Sequence, residues 1–266
     1  MSSGTEGFLQ LRGIRLEYQW LGPPPERGPT LVFLHEGLGC VSSWGSFPER
    51  VINRTGLSGL VYSRAGYGKS DPAPLPRPTD FMDDEAEVLA RLLEQFEIQE
   101  SILVGHSDGA SIALICASRD DAISVRGLVL EAPHVFTELS GLESIAEIAK
   151  DFRTSELRAR LARHHGSNTD IAFWGWNDVW LHPDFRAWNI EAVLPAIRVP
   201  MLLIQGNEDQ YGTWQQIEAI QRGAGGPVEV LAVRDCGHAP HREQAEPTLG
   251  AMATFIQQLC GRGPVS

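Results

Sequence analysis

Short runs of apolar residues recur along the chain, and segments with helical periodicity separate them. Six runs are apolar throughout or nearly so: residues 30–34, 59–62, 102–104, 127–130, 201–204 and 228–233. Such a run indicates a strand that is buried on both faces, as in a parallel sheet covered by helices. Residues 8–20 instead alternate apolar and polar positions around Gly13, which predicts two short antiparallel strands joined by a turn. The pattern therefore predicts eight strands.

Helical patterns lie between most of these strands. In residues 83–96, Ala86, Leu89 and Leu93 recur at helical spacing, and acidic residues crowd the first turn, where the helix dipole favours them. The same kind of pattern is found in residues 107–117, 213–222 and 244–259. Strands that alternate with helices predict βαβ units, so we expect an α/β fold built on a mostly parallel sheet.

The alternation breaks between residues 134 and 195, where no run typical of a buried strand occurs. Residues 142–152 and 156–164 have helical periodicity. Aromatic side chains crowd the second half of the interval: Phe173, Trp174, Trp176, Trp180 and Trp188. We therefore predict a core domain of residues 1–133 and 196–266 and a helical cap, or lid, of residues 134–195. We expect the lid over the carboxyl edge of the sheet, where open α/β sheets bind ligands.

The composition narrows the classes of partner. With 42% hydrophobic and 21% charged residues, the 266-residue chain resembles an ordinary globular protein. Its formal net charge of −12 argues against nucleic acid and against an anionic membrane surface, since both attract basic proteins. No apolar run approaches the roughly 20 residues that span a bilayer, and the N-terminal residues lack the features of a signal peptide. The four cysteines are scattered, so we expect no metal site, no disulfide framework and a cytoplasmic protein.

Residues 105–109 read Gly-His-Ser-Asp-Gly, between an apolar strand and a helix of small residues. A sharp strand-to-helix turn strains the backbone of its central residue, and side chains two positions away on either side would collide with neighbouring elements. Glycine at 105 and 109 avoids the collision, and the positive end of the helix points at Ser107. The motif in this context indicates a nucleophilic serine. Helix capping is the alternative role of Ser107, but capping does not require the flanking glycines.

An acid and a base that would activate Ser107 follow the last two predicted strands. Asp209 comes shortly after residues 201–204, and His238 comes shortly after residues 228–233. Serine is a poor nucleophile until a base takes its proton, and an acid must orient that base. Three other residues are alternatives for these roles: the acids Glu131 and Glu208 and the base His241.

Four stretches of the chain resemble motifs of the α/β-hydrolase superfamily: residues 34–39, 63–71, 105–109 and 235–238. The order serine, acid, histidine is also typical of that superfamily. The resemblance implies the α/β-hydrolase fold, with a mostly parallel eight-stranded sheet, helices on both faces and an inserted helical lid. It further implies an oxyanion hole made by the backbone N–H of Gly37 or Leu38 and that of Asp108. Glu36 departs from the pattern, which usually has glycine there; a carboxylate beside an oxyanion is unfavourable unless it is paired or points away.

The resemblance implies a serine hydrolase that cleaves carboxylic esters through an acyl-enzyme, a carboxylesterase-like activity without metal or cofactor. The aromatic residues favour small apolar or aromatic substrates. The candidate substrate contacts are Trp44, His106, Trp174, Trp176 and Trp180. We expect a small-molecule substrate as the partner and a monomer or homodimer as the active form.

Other reactions use the same three side chains. Lactones, thioesters and the carbon–carbon bonds of ring-cleavage products in aromatic degradation are also cleaved this way, and a fold does not choose among them. Epoxide hydrolase or haloalkane dehalogenase chemistry would require aspartate at position 107. A receptor that binds a ligand in the same pocket without significant turnover is an alternative of another class, and the intact Ser107, Asp209 and His238 argue against it.

Overall fold

The computed structural model describes residues 4–23, 28–119 and 124–261. In these residues eight strands form one sheet in the order β1-β2-β4-β3-β5-β6-β7-β8. The strands are β1 (Thr5–Leu11), β2 (Ile14–Leu21), β3 (Thr30–Leu34), β4 (Ser58–Tyr62), β5 (Glu100–His106), β6 (Ser124–Glu131), β7 (Met201–Gly206) and β8 (Val228–Val233). β2 pairs antiparallel with β1 and β4, and all other neighbours are parallel. The predicted α/β fold with a mostly parallel, eight-stranded sheet is confirmed.

The α-helices of the described residues surround this sheet. They are α1 (Phe47–Thr55), α2 (Phe81–Gln95), α3 (Asp108–Ala117), α4 (Leu139–Thr154), α5 (Leu157–His165), α6 (Thr169–Trp180), α7 (Trp214–Gly223), α8 (Pro240–Glu243) and α9 (Ala245–Leu259). Helices α4, α5 and α6 lie between β6 and β7, in the interval for which the sequence predicts a lid. We call this segment, residues 134–195, the insertion. The predicted division of the chain into a core and a lid, with boundaries at residues 133/134 and 195/196, stays a prediction.

Strand β3 shows why the central strands are apolar at every position. All five of its residues are buried. Val32 and Leu34 belong to the cluster that contains α2 and α3, whereas Leu31 and Phe33 belong to the cluster that contains α1 and α9. Successive residues of a strand point to opposite faces of the sheet. Helices on both faces therefore require apolar side chains along the whole strand.

Helices α1 and α6 are absent from the sequence prediction. α1 is short and carries Pro48 in its first turn, where proline is tolerated although it breaks helices elsewhere. α6 buries residues around most of its circumference, including Phe173, Trp176 and Trp180. A helix covered on nearly all sides shows no polar stripe, so its periodicity is hard to detect.

The topology brings the three predicted catalytic residues to one edge of the sheet. β5 ends at His106, β7 at Gly206 and β8 at Val233, and these strands are parallel. Their carboxyl ends consequently meet at the same edge. Across the three described ranges, no helix combines the length and the apolar character needed to cross a bilayer. Nor do three or more His, Cys, Asp or Glu side chains gather there in a way that would hold a metal ion.

Candidate active site

Ser107 occupies the sharp turn between β5 and α3. Its backbone lies at φ 53° and ψ −119°, in a region that residues with a side chain rarely adopt. The Ser107 N–H donates to the carbonyl of Glu131 at 2.9 Å, and the Ser107 carbonyl accepts from the N–H groups of Ala110 and Ser111. Neighbouring backbone thus holds the strained turn, with Ser107 at the N-terminal end of α3.

The two glycines of the motif are required by the close approach of three elements. A Cβ atom at Gly105 would lie 2.6 Å from Ala110 Cα, and one at Gly109 would overlap the carbonyl oxygen of Leu34. Neither position accepts a side chain unless the backbone of β3 or α3 moves. This is the crowding that the sequence motif predicts around Ser107.

His238 and Asp209 form a direct pair beyond the ends of β8 and β7. His238 Nδ1 lies 2.9 Å from each carboxylate oxygen of Asp209. The carboxylate also accepts hydrogen bonds from Gln205 Nε2 at 2.9 Å and from Tyr211 N at 2.8 Å. Burial opposes ionisation of Asp209, but the adjacent His238 and these hydrogen bonds outweigh it and lower the pKa of Asp209 to about 2. The ionised carboxylate therefore holds the proton of a neutral His238 ring on Nδ1 and leaves Nε2 as an acceptor.

Ser107 and His238 line the same cavity, which has a volume of about 420 Å³. Among the described residues, the hydrogen bonds of the His238 ring run to Asp209, and none joins the ring to the Ser107 hydroxyl. A nucleophile–base hydrogen bond is often long before substrate binds and tightens in the reacting complex. The structure thus brings the three side chains to one site, and proton transfer from Ser107 to His238 stays a prediction.

Glu131 and His241, the alternative acid and base, pair with each other outside the cavity. His241 Nδ1 and the His241 N–H each lie 2.9 Å from Glu131 Oε2, and both side chains are fully buried. The His241 ring packs against Trp44, with ring centroids 4.7 Å apart. Glu208, the other alternative acid, is exposed. The geometry therefore favours Asp209 and His238 as the partners of Ser107.

Gly37 and Leu38 line the cavity at the turn that follows β3. The indole of Trp176 packs so closely on Gly37 that a Cβ atom there would overlap its ring. Within the described residues, neither the Gly37 nor the Leu38 N–H donates to a backbone carbonyl. The Asp108 N–H is the first of α3, and the first N–H groups of a helix have no acceptor within it. Gly37 and Leu38 thus line the cavity, and the role of their N–H groups and of the Asp108 N–H as an oxyanion hole stays a proposal.

The Glu36 carboxylate, which departs from the superfamily pattern, is paired. It lies 3.6 Å from His106 Nδ1 and 3.5 Å from Arg242 Nη2. Burial opposes charge on both Glu36 and His106, but their mutual attraction lowers the pKa of Glu36 and raises the pKa of His106. His106 Nε2 also bonds to the carbonyl of His238 at 2.7 Å. We call the turn of Gly37 and Leu38 the oxyanion turn. The negative charge of Glu36 beside it is therefore compensated, and His106 connects Glu36 to the backbone of the predicted base.

The Asp108 side chain connects the sharp turn of residues 105–109, which we call the elbow, to the insertion. Trp180 Nε1 donates to Asp108 Oδ1 at 3.1 Å, and Arg64 Nη2 lies 3.8 Å from Asp108 Oδ2. Burial raises the pKa of Asp108 and outweighs the opposing effect of Arg64. Arg64 comes from the motif at residues 63–71 and also donates to the carbonyl of Glu36 at 3.0 Å. This motif thus braces the elbow and the oxyanion turn together.

Three of the five predicted substrate contacts, His106, Trp176 and Trp180, line the cavity. The structure does not bring the other two to it. Trp44 packs in the core beside β3, and Trp174 packs inside the insertion against α4. The position of a tryptophan in the sequence does not determine which side of its element faces the site.

Sequence reasoning missed several residues of the cavity. His134 and Tyr211 flank His238, with ring centroids 5.7 and 4.8 Å from its ring. Burial, and then the nearby His238, lowers the pKa of His134 to about 3, so this ring is neutral at neutral pH. Both residues follow strand ends, and that position is the signal by which they could have been found. The missed residues of α4 and α5 are Gly141, Leu142, Ile145, Arg160, Leu161, Arg163 and His164.

Comparison with known proteins gives a family and distant relatives. Residues 31–251 match the model of the alpha/beta hydrolase family. The sn-1-specific diacylglycerol lipase ABHD11 of Mus musculus is 29% identical over 282 residues, which cover 96% of this chain and 89% of that protein. The Danio rerio protein of the same name is matched over 39% of its length. The serine hydrolase BPHL of Homo sapiens is 25% identical over 214 residues, which cover 78% of this chain and 72% of that protein.

A solved structure agrees in fold. A membrane phospholipase A, described as a novel bacterial virulence factor, superimposes with a TM-score of 0.80 at 22% identity, covering 97% of this chain and 87% of that chain. At this identity the likeness concerns the fold alone. The family match spans most of the sequence, and the elbow has the geometry expected of it. The chain therefore belongs to the α/β hydrolase family.

Proposed function

We propose that this protein is a serine hydrolase that cleaves carboxylic esters. The observation that carries the proposal is the placement of Ser107 and His238 on one cavity, with the His238 ring held by the Asp209 carboxylate. Nothing else in the cavity lining of the described residues offers a comparable nucleophile beside an oriented base. His238 Nε2 takes the proton of the Ser107 hydroxyl, and Asp209 stabilises the imidazolium that results.

The reaction proceeds in two halves. Ser107 Oγ bonds to the ester carbonyl carbon, and the electron pair of the carbonyl moves onto oxygen. The N–H groups of Gly37 or Leu38 and of Asp108 bind this oxyanion, each lowering the barrier by roughly 3 kcal/mol. The carbonyl re-forms, the alcohol leaves with the proton held by His238, and an acyl-enzyme remains. Water, deprotonated by His238, then attacks the acyl carbon and releases the carboxylic acid and Ser107.

Two considerations favour esters within this family of hydrolases. The Mus musculus relative is named a diacylglycerol lipase, and the Homo sapiens relative is named a serine hydrolase. A serine at position 107 forms an acyl-enzyme, whereas opening an epoxide by this fold requires aspartate there. Leu142, Ile145 and Trp176 form apolar parts of the cavity wall. Small apolar or aromatic groups fit such a wall.

The test is turnover of p-nitrophenyl acetate and p-nitrophenyl butyrate together with labelling by a fluorophosphonate probe. We expect the wild type to hydrolyse both esters and to be labelled. Ser107→Ala removes the nucleophile, so its kcat is expected to fall by about a thousandfold or more and its labelling to disappear.

Ser43→Ala is the matched control. Ser43 also lines the cavity, but its hydroxyl is bonded to the backbone of Cys40. We expect this variant to keep its labelling and most of its activity. A wild type that neither turns over these esters nor reacts with the probe would contradict the proposed function.

A further inference from the structure

Positively charged side chains outnumber negatively charged ones in the cavity lining, whereas the opposite holds for the chain as a whole. The chain has a formal net charge of −12. Within the described residues, however, the cavity is lined by three arginines, Arg160, Arg163 and Arg242, against two glutamates, Glu36 and Glu138. A cation-rich wall inside an acidic protein creates a local positive potential, which attracts anionic ligands.

Both glutamates are engaged by partners within the protein. Glu36 lies beside Arg242 and His106. Glu138 Oε2 accepts from Thr213 N at 2.9 Å and from Gln216 Nε2 at 2.7 Å. These carboxylates and Arg242 are therefore already satisfied, and they offer little to a bound molecule.

Arg160 and Arg163 are different, because the guanidinium group of neither forms a hydrogen bond or a salt bridge with any described residue. They stand three positions apart on α5 and so share one face of that helix. Arg158, on the same helix but away from the cavity, is instead paired with Asp170. Arg160 and Arg163 are exposed residues, and their unpaired side chains line the space in which a substrate binds.

His164 shows that these charges converge. It also lines the cavity, and its Nδ1 bonds to Ser42 Oγ at 2.9 Å. Burial lowers the pKa of His164, and Arg242 and Arg163 lower it further by repulsion. Cations from α5 and α8 thus act on the same part of the cavity.

The geometry points to an anionic substrate: an ester with a negatively charged terminal group, such as a carboxylate, that Arg160 and Arg163 bind while Ser107 attacks the ester carbonyl. The inference rests on the proposed function and names its substrate class. Guanidinium groups bind carboxylates through paired, parallel N–H bonds, which fix orientation as well as charge. Leu142 and Ile145, on α4, would contact the apolar chain that joins the ester to the anion.

The experiment compares matched esters that differ in one terminal group. On the acyl side, mono-p-nitrophenyl suberate, which ends in a carboxylate, is compared with p-nitrophenyl octanoate, which ends in a methyl group. On the alcohol side, the butyrate ester of ω-hydroxyhexanoic acid is compared with hexyl butyrate in a pH-stat. The proteins are the wild type, the double variant Arg160→Gln/Arg163→Gln and the control Arg158→Gln, which removes a charge from the same helix outside the cavity.

In at least one pair we expect the wild type to have the higher kcat/KM for the anionic ester. The kcat/KM of the double variant for that ester should fall about tenfold, mainly through KM, because two solvent-accessible ion pairs with the substrate are lost; a tenfold change corresponds to about 1.4 kcal/mol. The neutral esters report folding and basal chemistry, and their kcat/KM should change less than about twofold. Added salt should lower kcat/KM for the anionic ester only, because it screens the attraction between the ester and the arginines. Arg158→Gln should behave as the wild type.

The outcomes separate the two proposals. If neutral esters are hydrolysed but the double variant treats anionic and neutral esters as the wild type does in both pairs, the anionic subsite is refuted and the hydrolase stands. Equal losses in Arg158→Gln and the double variant would also refute the subsite, since they would reflect net charge alone. If no ester is hydrolysed and Ser107 is not labelled, it is the proposed function that fails.

Discussion

Asp209 shows how one residue is held ionised at a partly buried position. Its carboxylate accepts from the His238 ring, from Gln205 Nε2 and from the Tyr211 N–H. Burial alone would raise its pKa, but these partners lower it from 3.8 to about 2. A carboxylate whose pKa is lower in the folded state than in the unfolded state stabilises the fold while it is charged.

The pKa of Asp209 predicts how its contribution to stability depends on pH. Because the folded-state pKa is the lower one, the stabilisation is fully present above pH 4 or so, and protonation removes it as the pH falls towards about 2. We expect Asp209→Asn to lower the free energy of unfolding by about 2 kcal/mol at pH 7. The difference from the wild type should be clearly smaller at about pH 3, as measured by urea unfolding. A difference that is the same at both pH values would show that lost packing, not charge, accounts for it.

At the scale of elements, the elbow depends on contact between β3, β5 and α3. Gly109→Ala should therefore be strongly destabilising, because its Cβ atom would overlap the carbonyl of Leu34. We expect a loss of more than about 2 kcal/mol, together with loss of fluorophosphonate labelling. Gly250→Ala in α9 is the control: a Cβ atom there meets no atom within 4 Å, and alanine favours a helix interior by about 1 kcal/mol. Denaturant unfolding measures both, and similar stability in the two variants would contradict this account of the elbow.

Strands buried on both faces are the elements that the sequence predicts well. The strands of the parallel sheet are continuous apolar runs because helices cover both sides, and Asp209 and His238 could be proposed because functional residues follow such strands. α6 escaped prediction because burial around its circumference removes the polar stripe. The cavity face of α5 could not be predicted either. Its periodicity is visible, but only tertiary packing decides that Arg160 faces the site while Arg158 pairs elsewhere.

At the scale of the whole molecule, the insertion is attached to the rest through the structures that form the site. At the end of α5, the Gly68 N–H donates to His165 Nδ1 at 3.0 Å. His165 therefore carries its proton on Nε2, which donates to the carbonyl of Leu38 at 2.9 Å. Asn168 Nδ2 donates to the carbonyl of Ser70 at 2.7 Å. Through these hydrogen bonds His165 joins the insertion to the oxyanion turn, and His165 and Asn168 both join it to the neighbouring 63–71 motif.

This arrangement predicts that the attachment of the insertion affects catalysis as well as stability. His165→Leu leaves the Leu38 carbonyl and the Gly68 N–H without partners, which should cost about 1–3 kcal/mol in unfolding free energy. The turn that carries the Leu38 N–H is then less well fixed, and misplaced oxyanion donors should lower kcat by about tenfold or more with little change in KM. Asn168→Ala breaks only the bonds to the 63–71 motif, so it should destabilise the fold similarly while kcat stays within about threefold of the wild type. Steady-state kinetics on p-nitrophenyl butyrate and urea unfolding compare the two variants. If the two variants lower kcat equally at an equal loss of stability, His165 attaches the insertion to the rest of the protein without positioning the oxyanion turn.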